Sequence, residues 1–293
     1  MLAHPMGISI FSRIGLYIVA TALAPVAAYG DVAETTQKLR IASLNLCTDT
    51  LLLQYADPQQ IVSVTWLSAD ANLSPFATYA TQFHRNRGRA EDILRLPIDL
   101  VLTGPSTSTT TRAMLKRMQL PILHLEDATS IKALSMNIRR LTRAIGQSAR
   151  GNESLVKMHE KLKKISSDTH RMPRDQWPYA AFLQPNGLTV GHDSLSNELL
   201  SLAGLRNSAT LLGLGTYQRF PLESLLRARP DLLITPTVQR LHPALAQELL
   251  QHPVLRDTML RHKIDPSTLI CGTSRIANVA AALAAKRQQL VRQ

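Results

Sequence analysis

Two stretches of the chain, RAEDILRLPIDLVLTG at Arg89–Gly104 and PLESLLRARPDLLITP at Pro221–Pro236, carry nearly the same pattern. Shifting the first stretch by 132 positions aligns six identical residues and places Glu91 on Glu223. A repeated segment indicates a duplicated structural unit. Because this spacing is far longer than the repeat of a solenoid, the duplication predicts two similar domains.

Strand-like and helix-like segments alternate through both halves of the chain. The run LRIASLNL at 39–46 predicts a strand, and Thr48 is a candidate N-cap for the helix that follows it. We also predict a short helix over Glu91–Leu96 and a late strand at STLIC, residues 267–271. Such alternation is typical of an α/β fold in which parallel sheets carry helices on both faces.

The longest predicted helix spans Ser148–Asp168. Its apolar residues recur at helical spacing and form one stripe: Leu155, Met158, Leu162 and Ile165. A helix of about 20 residues is about 30 Å long, which is enough to run behind two lobes.

The N-terminus has the pattern of a secretory signal peptide over residues 1–28. Arg13 precedes an apolar stretch at 14–26, and small residues end at Ala28, where we predict cleavage and export to the periplasm. The stretch is short for a membrane span, although an uncleaved anchor is the alternative. No cysteine lies at the cleavage point, which argues against a lipoprotein.

The remaining chain is divided by prediction into an N-terminal α/β lobe at 29–145, a connecting helix at 146–172 and a C-terminal α/β lobe at 173–293. Its formal net charge of +12 falls to +11 without Arg13. Export and an aromatic content of 4% argue against nucleic acid, because stacking platforms need aromatic side chains. The positive charge favours either a generally basic surface or an anionic ligand.

Several features together resemble one family. They are the repeated Glu-x-(Ile/Leu)-Leu-x-x-x-Pro-Asp-Leu pattern, imperfect at Ile98, the long middle helix, the signal peptide, VGHDSLSNELLSLAG at 190–204 and SRIANVAAALA at 274–284. In this order the chain resembles the periplasmic substrate-binding proteins of ABC importers for iron complexes, meaning siderophores and haem, or for cobalamin. The resemblance covers nearly the whole mature chain, although no single piece is specific alone.

The resemblance implies two Rossmann-like α/β lobes joined by a single long backbone helix, with a ligand cleft between them. It implies a protein that is not an enzyme, has no intrinsic cofactor and acts as a monomer. Such a protein captures a metal-chelate ligand, a ferric siderophore, haem or cobalamin, and delivers it to an ABC permease in the inner membrane. A carrier or sensor partner without a transporter is one alternative. An exported α/β enzyme is another, although no Gly-x-Ser-x-Gly elbow or Walker loop is present.

The cleft residues are predicted from strand ends and from the resemblance. The expected ligand-binding residues are Asn45, Thr48, Trp66, Arg87, Ser106, Thr107, Tyr217 and Arg275. Ordinary core packing is the alternative for the aromatics, a solvated surface for the arginine, and helix capping for the hydroxyls of 105–111. The histidines are scattered, so no protein metal site is expected and the ligand is one that already chelates its metal.

Glu91 and Glu223 lie at positions that in this family dock onto permease arginines, one from each lobe. The alternative is that both carboxylates only suit a helix N-terminus. Cys47 and Cys271 both follow predicted strands in an oxidising compartment. A disulfide across the lobes, two free thiols near the ligand and two unrelated buried cysteines are the three open states.

Overall fold

Two parallel β-sheets organise the chain in the computed structural model, which describes residues 38–237, 250, 252–255 and 260–292. The predicted signal peptide and most of a helix predicted at 244–255 lie outside the described residues. None of the helices in the described residues combines the length and the apolar character that a membrane span requires.

The first sheet has five parallel strands in the order β3-β2-β1-β4-β5. Its strands are β1 (Ile41–Ser43), β2 (Ile61–Thr65), β3 (His84–Asn86), β4 (Leu100–Thr103) and β5 (Ile122–His124). The helices among them are α1 (Leu46–Tyr55), α2 (Ala77–Ala80), α3 (Thr109–Arg117) and α4 (Ile131–Ala144). Chain order reverses between β1 and β4, which makes that point the topological switch of this sheet.

The second sheet has four parallel strands in the order β11-β10-β6-β8. Its strands are β6 (Tyr179–Phe182), β8 (Arg206–Asn207), β10 (Leu232–Pro236) and β11 (Leu260–Ile264), and β7 (Leu188–Thr189) pairs antiparallel with β9 (Gln218–Arg219). The helices of this half are α6 (Leu195–Leu202), α7 (Ser208–Leu211), α8 (Leu222–Ala228), α9 (Ser267–Ile270) and α10 (Ile276–Val291). The switch point of this sheet lies between β6 and β10.

The repeated sequence places β4 and β10 at equivalent positions, each beside the first strand of its sheet. In both copies the aspartate before the strand accepts a backbone hydrogen bond from the start of the neighbouring first strand. Asp99 accepts a hydrogen bond from the backbone N–H of Arg40 (2.8 Å), and Asp231 accepts one from that of Tyr179 (2.7 Å). The guanidinium of Arg40 also lowers the pKa of Asp99 to about 2. The repeat therefore encodes two similar sheets, and the predicted α/β fold is confirmed.

Three local predictions were wrong. The helix predicted over 91–96 is absent, and residues 91–95 form turns with hydrogen bonds such as that from Ile93 N–H to Ala90 O (3.1 Å). The carboxylate of Asp92 accepts a hydrogen bond from the backbone of the preceding loop, which favours a turn over a helix here. Helix α1 begins at Leu46, so Asn45 and not Thr48 is its N-cap.

The segment predicted as strand STLIC is instead the short helix α9. The side chain of Asp265 accepts a hydrogen bond from Ser267 N–H (3.0 Å), and Pro266 precedes the first helical residue, where its missing N–H costs nothing. These local signals favour a helix start over the β-branched and apolar composition of the segment.

Helix α5 (Ser148–Thr169) lies between the two sheets in the sequence and packs against α4 and α10. All four residues of its predicted apolar stripe are buried. Its range falls within the predicted connecting helix 146–172, while the lobe boundaries themselves stay a prediction.

The two halves share one apolar core. A single cluster of buried side chains contains Leu102 of β4, Leu162 of α5 and Ile234 of β10. In addition, the carboxylate of Glu198 in α6 accepts a hydrogen bond from the backbone N–H of Ile131, the first residue of α4 (2.7 Å). Because opening the halves would expose part of this core, the fold favours a cleft of nearly fixed width.

Candidate ligand-binding cleft

A cleft with a volume of about 730 Å³ lies between the two halves, at the carboxyl ends of β1 and β4. Residues of the first half line most of it, and the second half contributes Val190, residues 194–196, Thr216, Tyr217 and the segment 269–272. This is the switch point of the first sheet, where open α/β sheets bind their ligands. We call this cavity the main cleft.

The floor of the main cleft is the turn from β1 into α1. The side-chain oxygen of Asn45 accepts hydrogen bonds from the backbone N–H groups of Cys47 (2.9 Å) and Thr48 (3.3 Å). A Cβ on Gly104 would lie 2.7 Å from the Asn45 side chain, so the residue after β4 must be glycine for this cap to fit. Thr48 is buried and donates its hydroxyl to Asn45 O (2.9 Å). Both residues line the cleft, and both hold its floor in shape.

Trp66 lies on one wall of the main cleft, with 55% of its surface exposed. Beneath it, the fully buried Asp49 accepts hydrogen bonds from the backbone N–H and the hydroxyl of Thr65. Burial raises the pKa of Asp49 to about 7, although the hydrogen bonds from Thr65 oppose this shift. A buried carboxyl group thus fixes the turn that presents Trp66 to the cleft.

Arg87 and Arg89 both line the main cleft. The carboxylate of Asp92 accepts a hydrogen bond from the backbone N–H of Arg87 (2.7 Å) and orders this loop. Neither guanidinium forms a hydrogen bond or an ion pair with any described residue. The site therefore offers two unpaired cationic groups, which suit carboxylate or phosphate oxygens.

The acidic part of the cleft was not predicted from the sequence. Glu126 and Asp127 line it shortly after the end of β5, and Asn137 of α4 donates to Glu126 O (2.7 Å). The rule that ligand-contacting residues follow strand ends could have found both carboxylates. No sequence signal marks Asn137, which reaches the cleft only through the packing of α4.

Tyr217 faces the main cleft from the second half and is 56% exposed. Its backbone is left-handed, with φ of 52°. Partial burial, reinforced by the negative charge of Asp127, raises the pKa of its phenol.

The loop before Tyr217 is clamped against a second loop. The backbone N–H of Gly191 donates to Gly215 O (2.9 Å), and that of His192 donates to Leu214 O (3.0 Å). A Cβ at position 191 would overlap the carbonyl oxygen of Leu214, so only glycine permits this contact. The clamp places Tyr217 at the mouth of the cleft.

Of the other predicted ligand-binding residues, Ser106 lines the main cleft and two residues do not. Thr107 is buried, and its hydroxyl accepts a hydrogen bond from Gly104 N–H (3.1 Å). Arg275 is the N-cap of α10, and its guanidinium carbon lies 4.6 Å from the centroid of the Phe76 ring. Both residues therefore stabilise the fold and do not line the cleft. The strand-end rule predicts the region in which ligand-binding residues lie, but it does not predict the direction of each side chain.

Cys47 and Cys271 form a disulfide in the structure, with their Cα atoms 4.9 Å apart. Cys47 belongs to the first turn of α1, and Cys271 directly follows α9. Both line the main cleft. A covalent bond therefore joins the first half to the second at the floor of the cleft.

Glu91 and Glu223 are both exposed, and neither lines the main cleft. Neither carboxylate has a hydrogen bond or an ion pair with a described residue. Across the described part of the chain, no group of three or more His, Cys, Asp or Glu side chains is arranged to hold a metal ion.

No family model and no curated protein matches the chain. Solved structures do. The periplasmic haem-binding protein RhuT from Roseiflexus sp. RS-1 is similar with a TM-score of 0.69 and 20% identity, over 86% of this chain and 99% of that one. A periplasmic haem-binding protein from Pseudomonas aeruginosa gives 0.70 and 19%, over 85% and 92%. The vitamin B12-binding protein BtuF of Vibrio cholerae gives 0.64 and 17%, over 87% and 99%. This chain therefore has the two-lobe fold of the periplasmic haem- and vitamin B12-binding proteins.

Proposed function

We propose that this protein is a periplasmic solute-binding protein that captures a metal chelate in the main cleft and passes it to an ABC permease. Among the metal chelates we propose haem as the ligand. The fold, the signal-peptide pattern and the family resemblance support this role. So do the solved structures of the same fold that bind haem or vitamin B12.

The observation that carries the proposal is the combination of unpaired cationic groups and exposed aromatic side chains around the main cleft. Two unpaired guanidiniums, from Arg87 and Arg89, share a cavity with two aromatic side chains, Trp66 and Tyr217, that are each more than half exposed. Aromatic faces stack on flat rings, and guanidiniums pair with carboxylates. A planar macrocycle with two carboxylates uses both features, and haem is such a molecule.

The test is a titration of the exported protein with haem, cyanocobalamin and a ferric hydroxamate siderophore. Trp66 in the cleft reports binding by fluorescence quenching, while the buried Trp177 lies away from it. We expect haem to bind most tightly. Replacing Arg87 and Arg89 together by alanine should weaken haem at least tenfold, because each charged hydrogen bond contributes about 1.5–3 kcal/mol.

Arg85→Ala is the matched control for that variant. Arg85 lies two residues before Arg87 and is exposed, but it does not line the main cleft. Equal losses from the Arg85 variant and the double variant would mean that general positive charge, and not the cleft, attracts haem. No binding of any of the three chelates would refute the proposed ligand class.

We further propose that Glu91 and Glu223 dock onto the permease. Their matched positions in the repeat and their exposed, unpaired carboxylates support this role. Glu91→Arg combined with Glu223→Arg should leave haem affinity unchanged and stop uptake through the cognate permease. Normal uptake by the double variant would contradict docking and favour a carrier that works without a transporter.

A further inference from the structure

A second cavity, with a volume of about 240 Å³, opens beside the main cleft. The two cavities share four lining residues, Ser196, Tyr217, Leu269 and Ile270. The two cavities are therefore neighbours that meet at these four residues. We call the smaller one the apolar side pocket.

The apolar side pocket lies at the switch point of the second sheet. Its walls come from the carboxyl ends of β6, β10 and β11, represented by Phe182, Thr235 and Ile264. Leu73, from a turn of the first half, completes the lining. Because the main cleft lies at the switch point of the first sheet, each sheet contributes one ligand-sized hollow at the place where such sheets bind ligands.

The two cavities differ in chemistry. The main cleft carries Arg87, Arg89, Glu126 and Asp127, whereas none of the described residues that line the apolar side pocket is charged. Most of the side-pocket residues are aliphatic, aromatic or proline. A hollow of this kind favours an apolar group over water.

Tyr217 lies between the two cavities, and its left-handed backbone and the clamped loop before it hold it there. A ligand whose polar groups meet the guanidiniums in the main cleft extends past Tyr217 toward the side pocket. Tyr217, with Ser196, Leu269 and Ile270, thereby marks the boundary between the polar part of the site and the apolar part.

We propose that the apolar side pocket is a subsite for the apolar edge of the chelate, meaning the vinyl- and methyl-bearing edge of a porphyrin when haem is the ligand. This inference rests on the proposed function for the identity of the polar part. It adds a specificity element: among chelates of equal charge, those with apolar substituents bind more tightly.

The experiment compares haem with iron deuteroporphyrin, in which hydrogens replace the two vinyl groups while the charge and the metal are the same. Burying one vinyl group in the side pocket should make haem bind the wild-type protein about tenfold more tightly than iron deuteroporphyrin. Leu73→Trp narrows the pocket from a half-buried turn, so the variant should fold. It should bring the affinity ratio close to one and leave iron deuteroporphyrin affinity within about twofold.

Leu211→Trp is the matched control, because Leu211 is 58% exposed and lines neither cavity. It should keep the tenfold ratio. A wild-type ratio near one, or a ratio that Leu73→Trp does not reduce, would overturn the proposed subsite.

If no porphyrin binds at all, haem is not the ligand, and the side pocket is judged by a different probe. The probe is 1-anilinonaphthalene-8-sulfonate, an apolar fluorophore with one anionic group. Its fluorescence should rise with the wild-type protein and with Leu211→Trp, and the rise should be lost with Leu73→Trp. An equal rise with all three proteins would overturn the subsite as well.

Discussion

The Cys47–Cys271 disulfide closes a very long loop, because the two residues are 224 positions apart. Cross-linking restricts the unfolded chain more than the folded one, and the effect grows with the logarithm of loop length. For a loop of this size the chain-entropy model gives a stabilisation of about 5 kcal/mol. The folded protein needs little rearrangement without the bond, since the two halves already share a core. We therefore expect most of this free energy to appear as lost stability.

The assay is unfolding in guanidinium chloride, followed by far-ultraviolet circular dichroism. A reducing phosphine should lower the unfolding midpoint of the wild-type protein by roughly 1 M, given the slopes expected for a chain of this size. The double variant Cys47→Ser/Cys271→Ala should unfold at the same low midpoint with or without reductant. Alanine is chosen at 271 because that side chain is buried and a hydroxyl there would lack a partner.

Two results would refute this reasoning. A loss below about 1 kcal/mol would mean that the unfolded chain is not restricted as the entropy model assumes. A reductant effect on the double variant equal to that on the wild type would show that the disulfide is not its cause. Haem affinity should change less than threefold on reduction, because α5 and the shared core hold the cleft. A larger loss would mean that the disulfide itself sets the cleft width.

Three further predictions concern the walls of the cleft. Burial raises the pKa of Asp49 to about 7, so the folded state binds this proton more tightly than the unfolded state does. The contribution of Asp49 to stability is therefore greatest at low pH, and it falls as the pH rises from about 4 to about 7. Relative to Asp49→Asn, the unfolding free energy should fall by up to about 4 kcal/mol over that window, and parallel pH profiles would contradict this. Gly191→Ala should lose about 1–3 kcal/mol of stability and weaken haem binding by displacing the Tyr217 loop. Gly215→Ala, whose Cβ would meet its nearest neighbour at 3.5 Å, should do neither, and calorimetry measures both. Trp66→Ala and Tyr217→Ala should each cost about 1–3 kcal/mol of binding free energy, and unchanged affinity with lowered stability would mean that they only pack.

The architecture was predictable because local and periodic patterns of the sequence specify it. The repeat at Glu91 and Glu223 predicted two similar domains. In each copy an aspartate, Asp99 or Asp231, ties its strand to the start of the first strand of the same sheet. The apolar stripe of α5 follows from helical periodicity, which a sequence displays directly. The local predictions failed where two sequence signals compete. Asp265 and Pro266, for example, start a helix in a segment whose composition predicts a strand.

For the cleft, the sequence determined the region, because parallel strands bring their carboxyl ends to one edge of a sheet. It could not determine which side chains face the ligand. The side chain of Thr107 is buried, whereas that of the adjacent Ser106 lines the cleft, because neighbouring side chains in a tight loop point in different directions. The bond between Cys47 and Cys271 and the side pocket behind Tyr217 depend on how two distant halves pack. Only the tertiary structure decided them, because contacts between residues far apart in the chain are set by the shared core and not by any local pattern.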